Sequence, residues 1–192
     1  MAGMGLALHT SSSGLGLALM PLCDSLSEDL SPASIRIQTW ALGRSLSAHL
    51  HTHLQNFWAP LPWSALDFLA VAQGPGSFTG TRIGVVAART LAQQLQIPLF
   101  GVSSLAAIAQ GQISLNGIDR LPAANRVLAV QLRAQRGAVY GAIYGPASGG
   151  VKPLLTDTVF SLEDWQQQLK QWPHDRLDIA EDNISDSSTA VL

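Results

Sequence analysis

The alternation of apolar and polar positions divides the first part of the chain into recognisable elements. Residues 6–10 and 15–20 are runs of apolar and small side chains, and they flank a hydroxyl-rich stretch at 11–14. Two such runs joined by a short polar turn predict a β-hairpin. Residues 21–33 are polar and interrupted by prolines, which predicts a loop that could include an edge strand.

Two further apolar runs enclose a helical pattern. Residues 68–72 are almost entirely apolar, which is typical of a strand covered on both faces, and residues 99–102 predict a second buried strand. Between them the pattern predicts a helix that begins at Ser77 or Thr79, whose hydroxyls can cap it, and ends near Leu95 before Pro98. Strand, helix and strand in this order form a βαβ unit with parallel strands.

An earlier stretch predicts a long helix over residues 34–57, which follows Ser31-Pro32. Its leucines recur at every fourth position and form one apolar stripe. The stripe could pack on the sheet, or part of it could pack on the helices of a partner. The two helices together carry more apolar surface than one sheet face needs, and this favours an interface. The leucines of the stripe are Leu42, Leu46, Leu50 and Leu54.

The turn before the second helix is rich in glycine. Gly74-Pro75-Gly76 ends the strand, and Gly80, Gly84, Ala88 and Ala92 then leave one helix face almost bare. A glycine turn at a helix N-terminus can cradle phosphate, but this turn has neither the P-loop ending nor the dinucleotide spacing. The pattern favours a packing turn and leaves a nucleotide site open. The residues of that possible phosphate loop are Ser11, Ser12, Gly74, Gly76, Ser77, Thr79 and Gly80.

The second half of the chain predicts another small lobe. A short helix at 105–109, a turn at Asn116-Gly117, and a hairpin of strands at 126–131 and 137–144 are followed by a loop at 146–150, a strand at 154–160 and a helix at 161–172 capped by Ser161. We therefore expect an N-terminal domain over 1–104 and a shorter second domain over 105–192. The acidic, serine-rich tail from Glu181 is predicted to be mobile.

Composition narrows the class of protein. The 192 residues are 47% hydrophobic and 12% charged, with a formal net charge of −2, which fits a compact domain and lacks the basic excess of a nucleic-acid binder. The cluster Arg120, Arg126, Arg133 and Arg136 is typical of a solvated edge rather than an RNA site. Cys23 is the only cysteine, so an internal disulfide is excluded and a cytoplasmic location is expected. No apolar run reaches the ~18 residues that a membrane span needs.

Three closely spaced histidines could indicate a metal site. His49 and His53 are one helical turn apart, as in a two-histidine zinc clamp, with His51 between them. No acidic residue occurs from Ile35 to Ala65 to provide a third ligand, so the pattern favours histidines on a solvated face.

One stretch carries a specific family resemblance. The run Gly-Pro-Gly-Ser-Phe-Thr-Gly-Thr-Arg-Ile-Gly at 74–84, followed by Ile-Pro-Leu-Phe-Gly-Val-Ser-Ser-Leu at 97–105, resembles the TsaB (YeaZ) family over roughly residues 4–110. The resemblance implies an α/β protein of the actin-like ATPase (ribonuclease H-like) fold, with two small lobes that each contain a mixed sheet and helices. His9 stands where members of that superfamily that act on nucleotides have an aspartate. Imidazole is a poor ligand for Mg²⁺, which counts against a phosphotransferase site.

The resemblance also implies a function, that of the non-catalytic subunit in bacterial threonylcarbamoyladenosine (t6A) modification of tRNA. The expected partners are a TsaD-type catalytic subunit and a TsaE-type P-loop ATPase, with tRNA contacted only indirectly and a homodimer formed when the chain is alone. No cofactor is expected, apart from ATP or ADP held at a subunit junction. The expected interface residues are Leu42, Leu46, Leu50, Leu54, Arg82, Ile83, Val86, Arg89 and Thr90.

Departures from the family pattern support a chain that does not itself catalyse a reaction. The catalytic relative carries two metal-binding histidines where this chain has Ser104 and Ile108, so the resemblance implies that the metal site is absent. The family's Asp-Ala-Arg run is replaced by Arg133-Ala134-Gln135. Two alternatives stay open: a small kinase or ATPase of the actin-like superfamily, and a metalloprotease-like hydrolase.

Overall fold

The computed structural model describes residues 3–22, 35–115, 126–172 and 176–181. The chain divides into two compact units between Val102 and Ser103. The predicted boundary follows residue 104. Among the described residues, no helix combines the length and the apolar character that a membrane crossing requires.

The first unit is built on a five-stranded mixed sheet. Strands β1 and β2 form the predicted hairpin, and β4 and β5 run parallel to each other and to β1, which confirms the hairpin and the βαβ unit. The strand order is β3-β2-β1-β4-β5. The strands are β1 (Met4–His9), β2 (Leu15–Pro21), β3 (Arg36–Trp40), β4 (Leu66–Ala72) and β5 (Leu99–Val102).

Two helices contribute to the core of this unit, α1 (Leu46–Trp58) and α2 (Phe78–Leu95). Helix α2 begins where the sequence predicts, and Ser77 caps it by accepting a hydrogen bond from the Gly80 amide. The leucines of α1 point into the core with those of β1, β2 and β4. The buried leucines of α1 are Leu46, Leu50 and Leu54.

The long helix predicted over 34–57 is wrong in its first half, because helix α1 begins only at Leu46. Residues Arg36–Trp40 form the edge strand β3, which pairs antiparallel with β2. The β-branched residues Ile35, Ile37 and Thr39 alternate there, and alternation favours a strand. Gly43 then takes a positive φ of 50° and begins a short 3-10 helix, Gly43–Ser45, that leads into α1.

Strand β5 corrects a second expectation. It is an exposed edge strand rather than a buried one, because only β4 pairs with it. Phe100 is 55% exposed and Val102 is 38% exposed. The apolar composition of residues 99–102 therefore led to a wrong prediction of burial, although the predicted strand itself is present.

The second unit has a four-stranded mixed sheet of order β8-β7-β6-β9. The predicted hairpin of β6 and β7 is confirmed, and β9, which the sequence did not suggest, lies parallel to β6. Ser161 caps helix α4 as predicted. The elements are α3 (Ser104–Leu115), β6 (Arg126–Arg133), β7 (Val139–Ala147), β8 (Gly150–Phe160), α4 (Leu162–Gln171) and β9 (Arg176–Glu181).

Boundaries in this unit differ from the predictions. Helix α3 runs well past the predicted end at Ala109, and β8 begins at Gly150, so that the expected loop at 146–150 is a tight turn between β7 and β8. Cys23, Asn116-Gly117, Arg120, the tail from residue 182 and most of the loop at 21–33 lie outside the described residues.

Candidate interaction groove and glycine loop

The glycine loop contacts the turn after β1 directly. The Ser77 amide donates a 2.6 Å hydrogen bond to the Ser11 carbonyl oxygen. A side chain at Gly76 would overlap that same carbonyl. Gly76 is therefore needed because the two backbones touch at this point.

The bare face of α2 explains the next two glycines. Gly80, Gly84, Ala88 and Ala92 are all buried, as the spacing predicts. A Cβ at Gly80 would overlap the Thr10 carbonyl oxygen, and one at Gly84 would overlap the Thr10 hydroxyl. Thr10 in turn donates a 2.8 Å hydrogen bond to the Gly80 carbonyl, so the helix is locked against the end of β1.

The structure thus brings together Ser11, Gly76, Ser77 and Gly80 of the possible phosphate loop. Two amides at the start of α2 already have partners within the chain, namely Ser77 with the Ser11 carbonyl and Gly80 with the Ser77 hydroxyl. Thr79 is exposed to solvent. The contacts account for the glycines as packing residues, and nucleotide binding by this loop stays a prediction.

His9 and Ser12 belong to the neighbouring turn. The two ring nitrogens of His9 each lie 3.2 Å from a hydroxyl, Nε2 from Ser12 Oγ and Nδ1 from Ser11 Oγ. A neutral imidazole donates one such bond and accepts the other. Ser12 Oγ also accepts from the Gly14 amide at 3.3 Å. Gly74, at the other side of the loop, has a φ of 95° that suits glycine.

A larger opening lies between α1 and α2. This groove has a volume of about 870 Å³ and is lined from both helices and from Trp63, which stacks on Trp58 with ring centroids 5.1 Å apart. Its floor is apolar and its two walls consist of residues four positions apart on each helix. The floor is Leu50, Leu54, Ile83, Ala87 and Leu91; the α1 wall is Ser47, His51 and Gln55; the α2 wall is Arg82, Val86, Thr90 and Gln94.

The groove leaves apolar surface in contact with solvent. Val86 is 63% exposed in the α2 wall, and Phe78, at the start of the same helix, is 65% exposed. The guanidinium carbon of Arg82 lies 3.8 Å from the centre of the Phe78 ring, which holds the arginine over the entry to the groove. Large exposed apolar side chains grouped along a groove are typical of interaction surfaces.

The predicted interface residues fall into two groups. Arg82, Ile83, Val86 and Thr90 line the groove, and Arg89 is exposed on the same helix. The four leucines of the predicted stripe behave differently. Leu50 and Leu54 form the floor, whereas Leu46 is 6% exposed in the core and Leu42 is half-buried against it. Within the groove, α1 thus presents its polar wall and two leucines of the floor.

Several lining residues were missed by the sequence analysis. His51 was assigned to a solvated face, and Ser47 and Gln55 on α1 and Ala87, Leu91 and Gln94 on α2 were not singled out. The signal was present in the spacing, because residues four apart on a helix line one side of it. Sequence alone could not show that the two helices leave a gap.

The three neighbouring histidines have separate surroundings. His53 is half-buried and stacks on Trp40 with ring centroids 4.6 Å apart. His49 is exposed with its ring 6.3 Å from that of His53, and His51 stands in the groove wall. Within the described ranges, no group of three His, Cys, Asp or Glu side chains is placed to hold a metal ion.

A polar cluster in the second unit joins β7, β8 and the start of α3. Asp157 accepts hydrogen bonds from Ser103 Oγ at 2.6 Å and from the Tyr144 hydroxyl at 3.0 Å. Ser103 Oγ also accepts from the Ala106 amide at 3.1 Å. Burial, and to a smaller degree the charge of Asp157, raises the pKa of Tyr144 well above its ordinary value of 10.0. The cluster therefore requires a protonated phenol.

The two residues at the metal-ligand positions of the catalytic relative lie on α3. Ser104 is 3% exposed, and Ile108 packs on the apolar core of the second unit. The replaced segment Arg133-Ala134-Gln135 connects the end of β6 to a tight turn in which Arg136 has a positive φ of 59°.

The strand order of the first sheet, the mixed sheet of the second unit and the groove define an α/β protein of the actin-like ATPase fold with an open helical surface. The family model described as "TsaD: tRNA N6-adenosine threonylcarbamoyltransferase" matches residues 57–174. The chain belongs to this family, and its resemblance to the TsaB (YeaZ) proteins is confirmed.

Two curated relatives carry that resemblance in sequence. The tRNA threonylcarbamoyladenosine biosynthesis protein TsaB of Bacillus subtilis is 37% identical over 106 residues, which cover 55% of this chain and 42% of the relative. The TsaB protein of Escherichia coli is 43% identical over 86 residues, which cover 45% of this chain and 34% of the relative. Each match thus spans less than half the length of the relative.

A solved structure agrees in fold. YeaZ from Pseudomonas aeruginosa superposes with a TM-score of 0.68 at 23% identity, covering 92% of this chain and 84% of that chain. This likeness extends over both units, and it supports the predicted fold class.

Proposed function

We propose that the chain is a non-catalytic subunit of the assembly that forms t6A in tRNA. In this role it binds a TsaD-type catalytic subunit and stabilises its active form, in an assembly that also includes a TsaE-type ATPase. Family membership and the names of the curated relatives support the pathway. The pathway and these partners make the cytoplasm the expected location.

The observation that carries the proposal is the groove between α1 and α2. Its leucine floor is built into the core, so the surface is rigid, while Val86 and Phe78 stay exposed beside it. Burial of apolar area is the main driving force of stable association. A helix of the partner that fills the groove would cover this area.

The arrangement of polar groups supports a non-catalytic subunit. The amides of Ser77 and Gly80 and the Thr10 hydroxyl bond to groups of the chain itself, and Ile108 occupies core where a metal ligand would be needed. The catalytic groups of the proposed reaction would then belong to the TsaD-type partner, and ATP or ADP would be bound at a junction with the other subunits.

The test is binding of the purified chain to the TsaD-type protein of the same organism, measured by isothermal titration calorimetry. Val86→Asp places a charge in the apolar contact and should weaken binding about tenfold or more. Val159→Asp is the matched control, because Val159 is 58% exposed on β8 in the second unit. It should bind like the wild type.

Val86 is a better position for this test than Leu46. An acid at Leu46 would enter the core, so a loss of binding there would reflect unfolding. Val86 is exposed, and circular dichroism should show an unchanged fold for Val86→Asp. Equal affinity of Val86→Asp and wild type would contradict docking at the groove, and failure of the wild-type chain to bind would contradict the proposed function.

A further inference from the structure

His51 is the histidine of α1 that lies in the groove. It is exposed in the α1 wall, about one helical turn from Ser47 on one side and from Gln55 on the other. The α2 wall, which begins with Arg82, stands across the groove. Because His51 borders the apolar floor, a helix that fills the groove would also cover its imidazole.

The imidazole of His51 has no partner within the described ranges. No hydrogen bond, ion pair or ring contact joins it to another described residue. The other described histidines differ in this respect. The two ring nitrogens of His9 lie 3.2 Å from serine hydroxyls, and the His53 ring contacts those of Trp40 and His49. The charge of His51 therefore interacts with whatever covers the groove rather than with a partner in the chain.

The charged side chains described around the groove are arginines. Arg82 lines the α2 wall, and Arg89 is exposed further along the same helix. On the chain that leads into α1, Arg44 is exposed seven positions before His51. The part of the lining that lies outside the two helices is Trp63, which does not titrate. Among the described residues, no Asp or Glu lines the groove.

The remaining charged groups of this unit are engaged elsewhere or lie outside the described ranges. Arg36 on β3 donates to the Phe57 carbonyl in the last turn of α1. Asp67 accepts a 2.8 Å hydrogen bond from a backbone amide at the start of β1 and is not part of the lining. The acids of residues 23–34 lie outside the described ranges. The described surroundings thus offer no counter-ion to a protonated His51.

We propose that the groove is pH-sensitive, because it binds its partner tightly with His51 neutral and weakly with His51 protonated. This inference rests on the proposed function, since the docked TsaD-type subunit is the occupant that covers the imidazole. Histidine is the side chain whose charge ordinarily changes between pH 5 and 8. Covering the protonated ring removes its hydration and places a second cation in a site that already contains Arg82.

The sign of the pH dependence follows from the linkage between binding and protonation. A complex that holds the neutral ring releases a proton when it forms from a protonated chain. Affinity is therefore fully present at neutral and higher pH, and it falls as the pH drops through the range in which histidine ionises. If the complex excludes the proton entirely, affinity falls about tenfold for each further pH unit.

The experiment measures the affinity of wild type and of His51→Gln for the TsaD-type protein by isothermal titration calorimetry, at about pH 7.5 and about pH 5.5. The loss of affinity between the two pH values should be about five- to tenfold larger in wild type than in His51→Gln. Titration of the partner's own groups affects both proteins and cancels in this comparison. His49→Gln is the matched control, because His49 is exposed on α1 outside the groove lining. It should keep the pH dependence of the wild type.

Two further measurements test the charge itself. His51→Lys carries a positive charge at neutral pH, so its affinity at about pH 7.5 should be about fivefold or more below that of His51→Gln. Titrations of the wild type at about pH 6.5, in buffers that differ in ionisation enthalpy, should show release of protons on binding, and His51→Gln should lack this release. Circular dichroism at both pH values verifies that each variant is folded.

The outcomes distinguish this inference from the proposed function. Equal pH dependence in wild type and His51→Gln would overturn the pH-sensitive groove while the docking itself stands. Binding that strengthens in acid through His51 would overturn it as well, and so would a His51→Lys chain that binds as tightly as His51→Gln. If the wild type does not bind the TsaD-type protein at neutral pH, both proposals fail.

Discussion

The glycine loop and the groove share helix α2, but the loop is held by hydrogen bonds within the chain, whereas the groove leaves an apolar side chain exposed to solvent. At the loop, the amides of Ser77 and Gly80 have partners within the chain, and Thr10 holds the helix from the other side. At the groove, the chain leaves Val86 exposed beside a floor of leucines. The glycine motif thus has two of its amides paired within the chain, whereas the leucine spacing that resembles ordinary core borders an open groove.

Amino-acid composition alone therefore does not show which of these two candidate sites is open to a partner. Glycine and serine at a helix start fit both a phosphate cradle and a tight junction, and only the distance to Thr10 and Ser11 shows the junction. Leucines at every fourth position fit both core and interface, and here the same side chains serve the core while they form the floor of the groove.

Gly80→Val should have the largest effect on stability. The added side chain would overlap the backbone carbonyl of Thr10, which cannot move without shifting the end of β1. We expect the free energy of unfolding to fall by about 3 kcal/mol, as measured by urea denaturation. Thr79→Val, on an exposed position of the same helix, should change it by less than about 0.5 kcal/mol. A stable Gly80→Val protein would mean that the junction is not tightly packed.

Tyr144→Phe tests the same internal pairing of polar groups in the second unit. Loss of the hydrogen bond to Asp157 should cost about 1 kcal/mol at neutral pH. The folded state raises the pKa of Tyr144 above its ordinary value of 10.0, so it holds the phenol proton more tightly than the unfolded chain. The resulting stability is present below pH 10 and is lost as the pH rises above it, by about 1.4 kcal/mol per pH unit.

The measurement is urea denaturation of both proteins at several pH values from neutral to about 11. The difference between wild type and Tyr144→Phe should shrink above pH 10, because only the wild type loses this contribution. A constant difference across that range would show that Tyr144 ionises equally easily in both states.

Ser77→Ala should destabilise the protein about as little as Tyr144→Phe, and it tests whether the glycine loop binds phosphate. Loss of the cap should reduce stability by about 1 kcal/mol, and Ser161→Ala on α4 should cost a similar amount. If the loop is a packing junction, Mg-ATP should leave the melting temperature of the wild type unchanged. A rise with Mg-ATP that disappears in Ser77→Ala would show that the loop binds phosphate after all.

The elements of the fold were largely predictable from periodicity, and the errors have identifiable causes. The hairpin, the βαβ unit and the cap at Ser77 follow from local patterns that the structure confirms. The false start of the long helix came from reading Ser31-Pro32 as a helix start and overlooking the alternation at Ile35, Ile37 and Thr39. Strand β5 was predicted as buried because apolar composition cannot show that a strand lies at a sheet edge.

The candidate site was predictable only in part. Of the α2 residues of the groove, Arg82, Ile83, Val86 and Thr90 were named from the pattern and the family resemblance, whereas His51 on α1 was assigned to solvent. Whether a polar helix face borders a gap depends on how far apart two helices pack, and that distance is a tertiary property.

In the proposed function, the TsaD-type subunit binds the chain at the groove between α1 and α2. The most direct test is t6A formation on tRNA by the TsaD-type and TsaE-type proteins supplied with their substrates, with wild type, Val86→Asp or Val159→Asp added. We predict that wild type and Val159→Asp support modification equally, and that Val86→Asp lowers the rate about tenfold or more at limiting concentration. Equal rates with Val86→Asp and wild type, or full modification without the chain, would contradict the account.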